Sequence, residues 1–208
     1  MSWPFPQPQT HTGIYVTLQA LQPEQDVQAL YRVSHGSPEA ERVWDYLQSG
    51  PFPAPEHMLQ YLNSIAAPID SLAFSVKSNA LGALIGQIVI MNIVPGHGRA
   101  ELGSIWYAPE VQRTRVNTEC NYLLLRYMFE ELGYRRMEWK CNNKNERSKA
   151  AALRLGYRYE GLFRQHMLIK GNNRDTAWFS MLDSEWPERK QIFEHYLANE
   201  GLSLQMPG

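Results

Sequence analysis

Nine residues, VQRTRVNTE from Val111 to Glu119, stand at the head of a long amphipathic segment and contain no glycine. A helix start presents main-chain N–H groups that lack intrahelical acceptors, and its dipole favours negative charge, so a phosphate suits it chemically. Turns that cradle phosphate ordinarily use glycine because the backbone must come close to the anion. Here Arg113 and Arg115 offer charge-assisted bonds, and Asn117 is of the non-glycine type that best accepts a left-handed backbone. The opposite reading has the arginine side chains blocking the approach or lying in solvent. Further along, Asn145 suits the cap of a helix and places Ser148 in its first turn. His166 is a strand histidine, of the type that titrates near neutrality, and Glu101 is a strand carboxylate. Both are candidate proton acceptors, and both have structural readings. The histidines are scattered without metal-ligand spacing, and Cys120 and Cys141 fall on apolar faces, so neither a metal nor a thiol nucleophile is expected.

Periodicity gives the elements that position these residues. IYVTLQAL from Ile14 alternates as a first strand, and PEQDVQALYRV after it carries a helical stripe. Ser37 signals a helix through SPEAERVWDYLQ, and Pro55 another in PEHMLQYLNSI. LAFSVKS, GALIGQIVIMNIV and RAELGSIWYAP form a meander, TECNYLLLRYMFEEL a crossover helix, and YRRMEWKC a strand with Met137, Trp139 and Cys141 on one face. ERSKAAALRL is a short helix ended by Gly156, YRYEGLFRQHMLI and RDTAWFSML pair as a hairpin across KGNN, and EWPERKQIFEHYLANEG closes the chain as a helix. This order predicts an α/β fold of the α+β type with a mixed sheet. Residues 1–13 are expected as a flexible arm and 14–208 as a single domain.

The 208 residues are 44% hydrophobic, ample for one core, and 20 Lys and Arg against 21 Asp and Glu give no bulk affinity for nucleic acid or an anionic membrane. Two distant cysteines fit a reducing compartment, with the cytoplasm as default, and no stretch approaches a membrane span. A homodimer is the default assembly.

Three pieces of the C-terminal half, ELGSIWYAPEVQ continuing into RTRVNTE, NERSKAAALRLGYRYEG, and RQHMLIKGNNRDTAWFSML, resemble the GCN5-related N-acetyltransferase (GNAT) superfamily, within it the RimJ/RimL-like branch. The resemblance implies a mostly antiparallel twisted sheet, flanked by helices, whose central fourth and fifth strands splay apart, here RAELGSIWY and YRRMEWKC. It implies acetyl-CoA as cosubstrate, its pantetheine arm pairing with the main chain of Ile105, Trp106 and Tyr107 and its diphosphate at Gln112, Arg113, Thr114, Arg115, Val116, Asn117 and Thr118. Where many relatives have glycine, this chain has Arg113 and Arg115.

By the same resemblance Asn145 anchors the cosubstrate and Ser148 protonates the departing thiolate. Trp44, Tyr46 and Phe52 line the acceptor channel, and Asp175 matches an acidic position near the amine, with turn stabilisation or pairing to Arg174 as its other reading. The base is open between Glu101, His166 and a water chain, since the family's later-strand carboxylate aligns with Met167. The implied reaction is acetylation of a primary amine, on a small molecule or a protein N-terminus. The altered loop is the feature that favours the alternative, a catalytically silent relative that binds or regulates.

Overall fold

The computed structural model describes residues 2–199, 201 and 204, so the last residues of the segment expected as one domain lie outside the described residues. Eight strands form one sheet in the order β1-β2-β3-β4-β5-β6-β8-β7. They are β1 (His11–Thr12), β2 (Val16–Ala20), β3 (Leu72–Ser78), β4 (Leu84–Val94), β5 (Arg99–Tyr107), β6 (Arg136–Asn142), β7 (Arg158–Ile169) and β8 (Asn172–Leu182). All neighbours run antiparallel except β5 and β6, which are parallel because the helix α4 (Val116–Arg126) carries the chain across between them. This is the mixed, mostly antiparallel α/β sheet that the element order predicts.

The helices α1 (Pro23–Ser34), α2 (Pro38–Glu41) and α3 (Pro55–Ala66) cover one face of the sheet, over a core of Leu30, Trp44, Met58, Leu62, Val89 and Trp106. On the other face α4, α5 (Glu146–Arg154) and α6 (Trp186–Ala198) enclose the larger core, to which β6 contributes Met137, Trp139 and Cys141. Alternation along β6 therefore leaves Arg136, Glu138 and Lys140 on the face of α1 to α3, at the side where β8 and β7 extend the sheet. The α4 segment is buried on nearly every side and ends in a π-helical turn, Tyr127–Glu131.

Two expectations need correction. The helix read through SPEAERVWDYLQ stops after α2 and passes into a 3₁₀ turn, Arg42–Trp44, because the wholly buried Trp44 turns inward to donate its indole N–H to Ser34 O at 3.1 Å. The start of the chain, expected as a loose arm, lies along the sheet. Trp3 donates to Gly133 O at 2.5 Å through its ring and to Pro95 O at 3.1 Å through its main chain, and Gln7 N donates to Tyr127 Oη at 2.7 Å. Its aromatic rings give the segment apolar area to bury, which its proline and glutamine content concealed.

Candidate active site

β5 and β6 pair only at Arg99↔Arg136, Ala100↔Met137 and Glu101↔Glu138. Beyond that point they part, so the edge of β5 from Leu102 to Tyr107 has no partner in β6. On its other side β5 pairs Trp106 with Gln87 and Tyr107 with Gly86, and a shift in register places Ser104 and Ile105 in a bulge. Ser104 carries the turn with φ of 50°, and β4 comes so close that a Cβ on Gly86 would lie 2.2 Å from Trp106 O. A cluster that the sequence reading did not name holds the bulge. Gln87 Nε2 donates to Tyr61 Oη at 2.6 Å and to Ser104 O at 3.1 Å, and Tyr61 Oη pairs with Ser104 Oγ at 3.0 Å. Burial pushes the Tyr61 phenol above its usual range. The available signal was Gln87 itself, an amide within the apolar run from Leu84 to Met91.

The chain leaves β5 through a 3₁₀ turn, Pro109–Val111, and enters α4 at Val116. Arg113 takes the left-handed conformation, with φ of 62°. The position assigned to glycine in relatives thus keeps a glycine-like backbone, and Asn117 is not the residue that supplies it. Asn117 already lies inside α4, where its main-chain and side-chain oxygens accept from Asn121 Nδ2 at 2.9 and 3.1 Å. Gln112 donates its side-chain amide to Tyr107 O at 2.9 Å, and Thr114 Oγ1 donates to Val111 O at 2.6 Å, so both brace the turn.

Arg115 reaches α6. Its guanidinium donates to Tyr196 O and, at 2.7 Å, to Asn199 O, and it stacks on the Tyr196 ring 4.2 Å from the centroid. Thr118 Oγ1 accepts from Arg154 Nη1 at 2.9 Å. Glu119, fully enclosed, accepts the main-chain N–H groups of Ile14, Tyr15 and Val16 at 2.6 to 2.8 Å. With these side chains engaged, the main chain stays open: among the described residues the N–H groups of Arg113, Arg115, Asn117 and Thr118 meet no acceptor. Arg113 and Arg115 also border a cleft of about 340 Å³, formed with Thr114, Val116, Tyr15 and Tyr196. Open N–H groups at the start of an 11-residue helix fit a diphosphate.

Asn145 caps α5, its Oδ1 accepting from Ser148 N at 3.1 Å. Ser148 Oγ accepts from the Trp139 indole at 3.0 Å and also contacts the Cys141 thiol, whose pKa is raised mainly by burial. Since Ser148 Oγ is the acceptor toward Trp139, its own hydroxyl proton is available to another group.

On the opposite face Glu101 is buried, accepting Lys140 Nζ at 2.9 Å and Asn92 Nδ2 at 2.6 Å. Lys140 also pairs with Glu138 at 2.9 Å and lies over the Trp178 ring, 3.9 Å from its centroid. His166 is exposed, and its Nδ1 lies 3.0 Å from Thr176 Oγ1. Asp175 accepts Gln165 N at 2.7 Å and Asn173 Nδ2 at 3.0 Å, which hold its carboxyl below the usual range. It clamps the bulge where Gln165 has φ of 50°, and no ion pair joins it to Arg174 among the described residues. Trp44 and Phe52 pack together with ring centroids 5.0 Å apart, and Tyr46 Oη donates to Lys144 O at 3.2 Å. Lys170, at the β7–β8 turn, donates to Trp44 O at 2.7 Å, so the early helices and the hairpin wall the open face from two sides.

The splayed edge, the helix start beside it and the walled face define a class. Residues 16–158 match the family model described as Acetyltransferase (GNAT) domain, and the chain belongs to that family. A GCN5-related N-acetyltransferase from Brucella melitensis superposes with a TM-score of 0.92 at 39% identity, covering 99% of this chain and 93% of that one. A Bacillus subtilis relative with the provisional name ribosomal N-acetyltransferase YdaF is 32% identical over 109 residues, which are 52% of this chain and 59% of that protein. The chain thus spans less than two thirds of that relative's length. RimJ of Mycobacterium smegmatis, solved in complex with CoA-disulfide, shares the fold at a TM-score of 0.77 and 18% identity, with 92% of this chain and 95% of that chain covered. The GNAT resemblance read from the sequence holds, and with RimJ the likeness is one of fold.

Proposed function

We propose that this protein transfers the acetyl group of acetyl-CoA directly to a primary amine, on a protein N-terminus or a small molecule. The observation that carries the reading is the row of acceptor-free N–H groups at the start of α4, beside a strand edge released by the splay. The cosubstrate supplies an activated acetyl thioester when bound. The open main chain of Ile105 to Tyr107 pairs with its arm and polarises the reacting carbonyl, as fixed donors do when they require no reorganisation. Asn145, with its Oδ1 spent on the cap, retains its amide N–H groups for the cosubstrate. Ser148 turns its hydroxyl hydrogen bond from the Cys141 thiol to the departing thiolate at the sulfur side.

For proton removal His166 is favoured over Glu101. The Glu101 carboxylate is already occupied by an ammonium and an amide, whereas the exposed His166 ring is bonded through Nδ1 and keeps Nε2 open. Tyr46 and Phe52 act from the wall of the acceptor side, with the wholly buried Trp44 packed behind Phe52, and Asp175 acts on the acceptor only through the bulge it fixes. An α-amine, with a pKa near 8, is about ten per cent neutral at pH 7, against well under about one per cent for a lysine near 10.4, so an N-terminus needs less help from a base. The name of the Bacillus relative points the same way, toward ribosomal protein. Titration calorimetry with acetyl-CoA and a turnover assay on Ser148→Ala test the reading together. Expected are micromolar binding by both proteins and a turnover lower by roughly tenfold or more in the variant. Absence of binding at millimolar acetyl-CoA would leave the silent relative as the correct account.

A further inference from the structure

Among the described residues, the carboxylates on the open face of the sheet have partners: Glu101 and Glu138 share Lys140, and Glu138 and Glu160 hold Arg136. Asp175, turned to the other face by strand alternation, is engaged by Gln165 N and Asn173. Arg174 on β8, two residues before Thr176 and therefore on its face, is partly buried, and its Nε is closed off from solvent with no acceptor. Among the described residues it has neither an ion pair nor a hydrogen bond. Burial lowers its pKa, and the groups that act on its charge are Cys141, on β6, and Glu101, on β5. The guanidinium is thus felt on both sides of the splay. A donor N–H shut off from water with no acceptor is unfavourable unless something else completes it, and here it is the Nε–H of Arg174.

We propose that Arg174 recognises a carboxylate on the acceptor, a few bonds from the amine that is acetylated, so that the substrate class is an anionic amine. The planar fork of a guanidinium matches a carboxylate bidentately. The cosubstrate is not the source of this anion: its diphosphate belongs to the start of α4, and its pantetheine arm is uncharged. The partners of Glu101, Glu138 and Glu160 leave those carboxylates unable to serve Arg174 without giving up Lys140 or Arg136. This inference rests on the acetyl-transfer reading and specifies its acceptor. The carboxylate has two sources, an acidic residue next to a protein N-terminus or the carboxylate of a free amino acid.

The test pairs acceptors that differ only in that charge: a short peptide beginning Ser-Asp against one beginning Ser-Asn, and a free amino acid against its amide. Wild-type protein is expected to favour the charged member of one pair by about tenfold or more in kcat/KM. The pair that responds identifies the source. In Arg174→Gln that ratio falls to near one, and in Arg174→Glu it shifts toward a peptide beginning Ser-Lys. A wild-type ratio of one in both pairs overturns the proposal, as does a ratio retained in Arg174→Gln. Calorimetry of the same peptides without cosubstrate separates the two levels of argument. Tighter binding of the Asp peptide with no acetyl-CoA binding discards the transferase reading and keeps the Arg174 site, whereas acetyl-CoA turnover without charge preference does the reverse.

Discussion

The start of α4 and the open face of β6 and β8 meet at the same splay, yet they are built from different materials. At α4 the side chains are spent on structure: Gln112 on Tyr107 O, Arg115 on the end of α6, and Glu119 on the N–H groups of residues 14 to 16. The main chain is what remains to bind. On the open face the reverse holds, because the backbone of β6, β8 and β7 is paired along its ladders and the ionisable groups are the side chains of Glu101, Lys140, His166 and Arg174. A main-chain site tolerates changes of residue type as long as the backbone angles survive, which is how Arg113 replaces glycine. A side-chain site has no such tolerance.

The sharpest way to break this division is on the charged face. Lys140→Met removes the ammonium shared by Glu101 and Glu138, both buried, and leaves Glu101 without a cation, while Glu138 keeps Arg136 and Arg99. Breaking a buried pair in this way costs about 3–5 kcal/mol. Urea denaturation should show a loss of that size, and a loss below about 1 kcal/mol would mean that the face does not depend on its side chains. Arg115→Ala comes next. It removes two bonds to the carbonyls ending α6 and a stacked cation, together worth about 2 kcal/mol, and the loss should register in folding more than in acetyl-CoA affinity. An affinity loss much larger than the stability loss would make Arg115 a phosphate ligand instead.

The sequence was most legible where local rules decide. The ranges of α1, α3, β3 and α5 follow from proline starts, the Asn145 cap and strict alternation, and Gly156, with φ of 89°, ends α5 as its position implies. What local rules miss depends on distant partners. Nothing near Trp3 announces Gly133, and nothing near Arg115 announces Tyr196, 81 residues on. In the loop the sequence identified the segment but chose Asn117 for the left-handed residue, because residue preference was weighed without the helix boundary. The helix begins at Val116, which places Asn117 inside it and passes the strained angle to Arg113. Adjacency in sequence makes Arg174 the obvious partner for Asp175. Alternation along β8 turns consecutive side chains to opposite faces, and Asp175 bonds across the hairpin instead.

Arg113→Gly tests the main-chain half at smaller scale. A left-handed arginine is disfavoured by about 1–2 kcal/mol, and glycine returns part of that as chain entropy, so the variant should gain up to about 1 kcal/mol in stability. Its acetyl-CoA affinity should stay within about threefold, since the N–H groups remain in place. A collapse of affinity would transfer the binding role to the guanidinium and erase the contrast between the two regions.

The smallest effect is expected at the rim of the charged face. Glu160 accepts Arg136 Nη1 and Nη2 at 2.7 and 2.6 Å and Ser180 Oγ at 2.6 Å, and the Arg136 bonds, against an opposing burial effect, bring its pKa down to about 2. A carboxyl whose folded pKa lies below its unfolded value, about 4.3, contributes stability above that unfolded value and loses it as pH falls toward the folded one. The stability difference between wild type and Glu160→Gln should therefore be constant above about pH 5 and shrink progressively down to about pH 2. With its side chain 42% exposed, solvent screens the pair, so the difference should be well below that of Lys140→Met and should shrink further in high salt. Urea titrations at pH 7, 4 and 2.5 read it directly. A difference that ignores both pH and salt would show that Glu160 acts by packing, and the side-chain electrostatics assigned to this face would then begin only at its buried members.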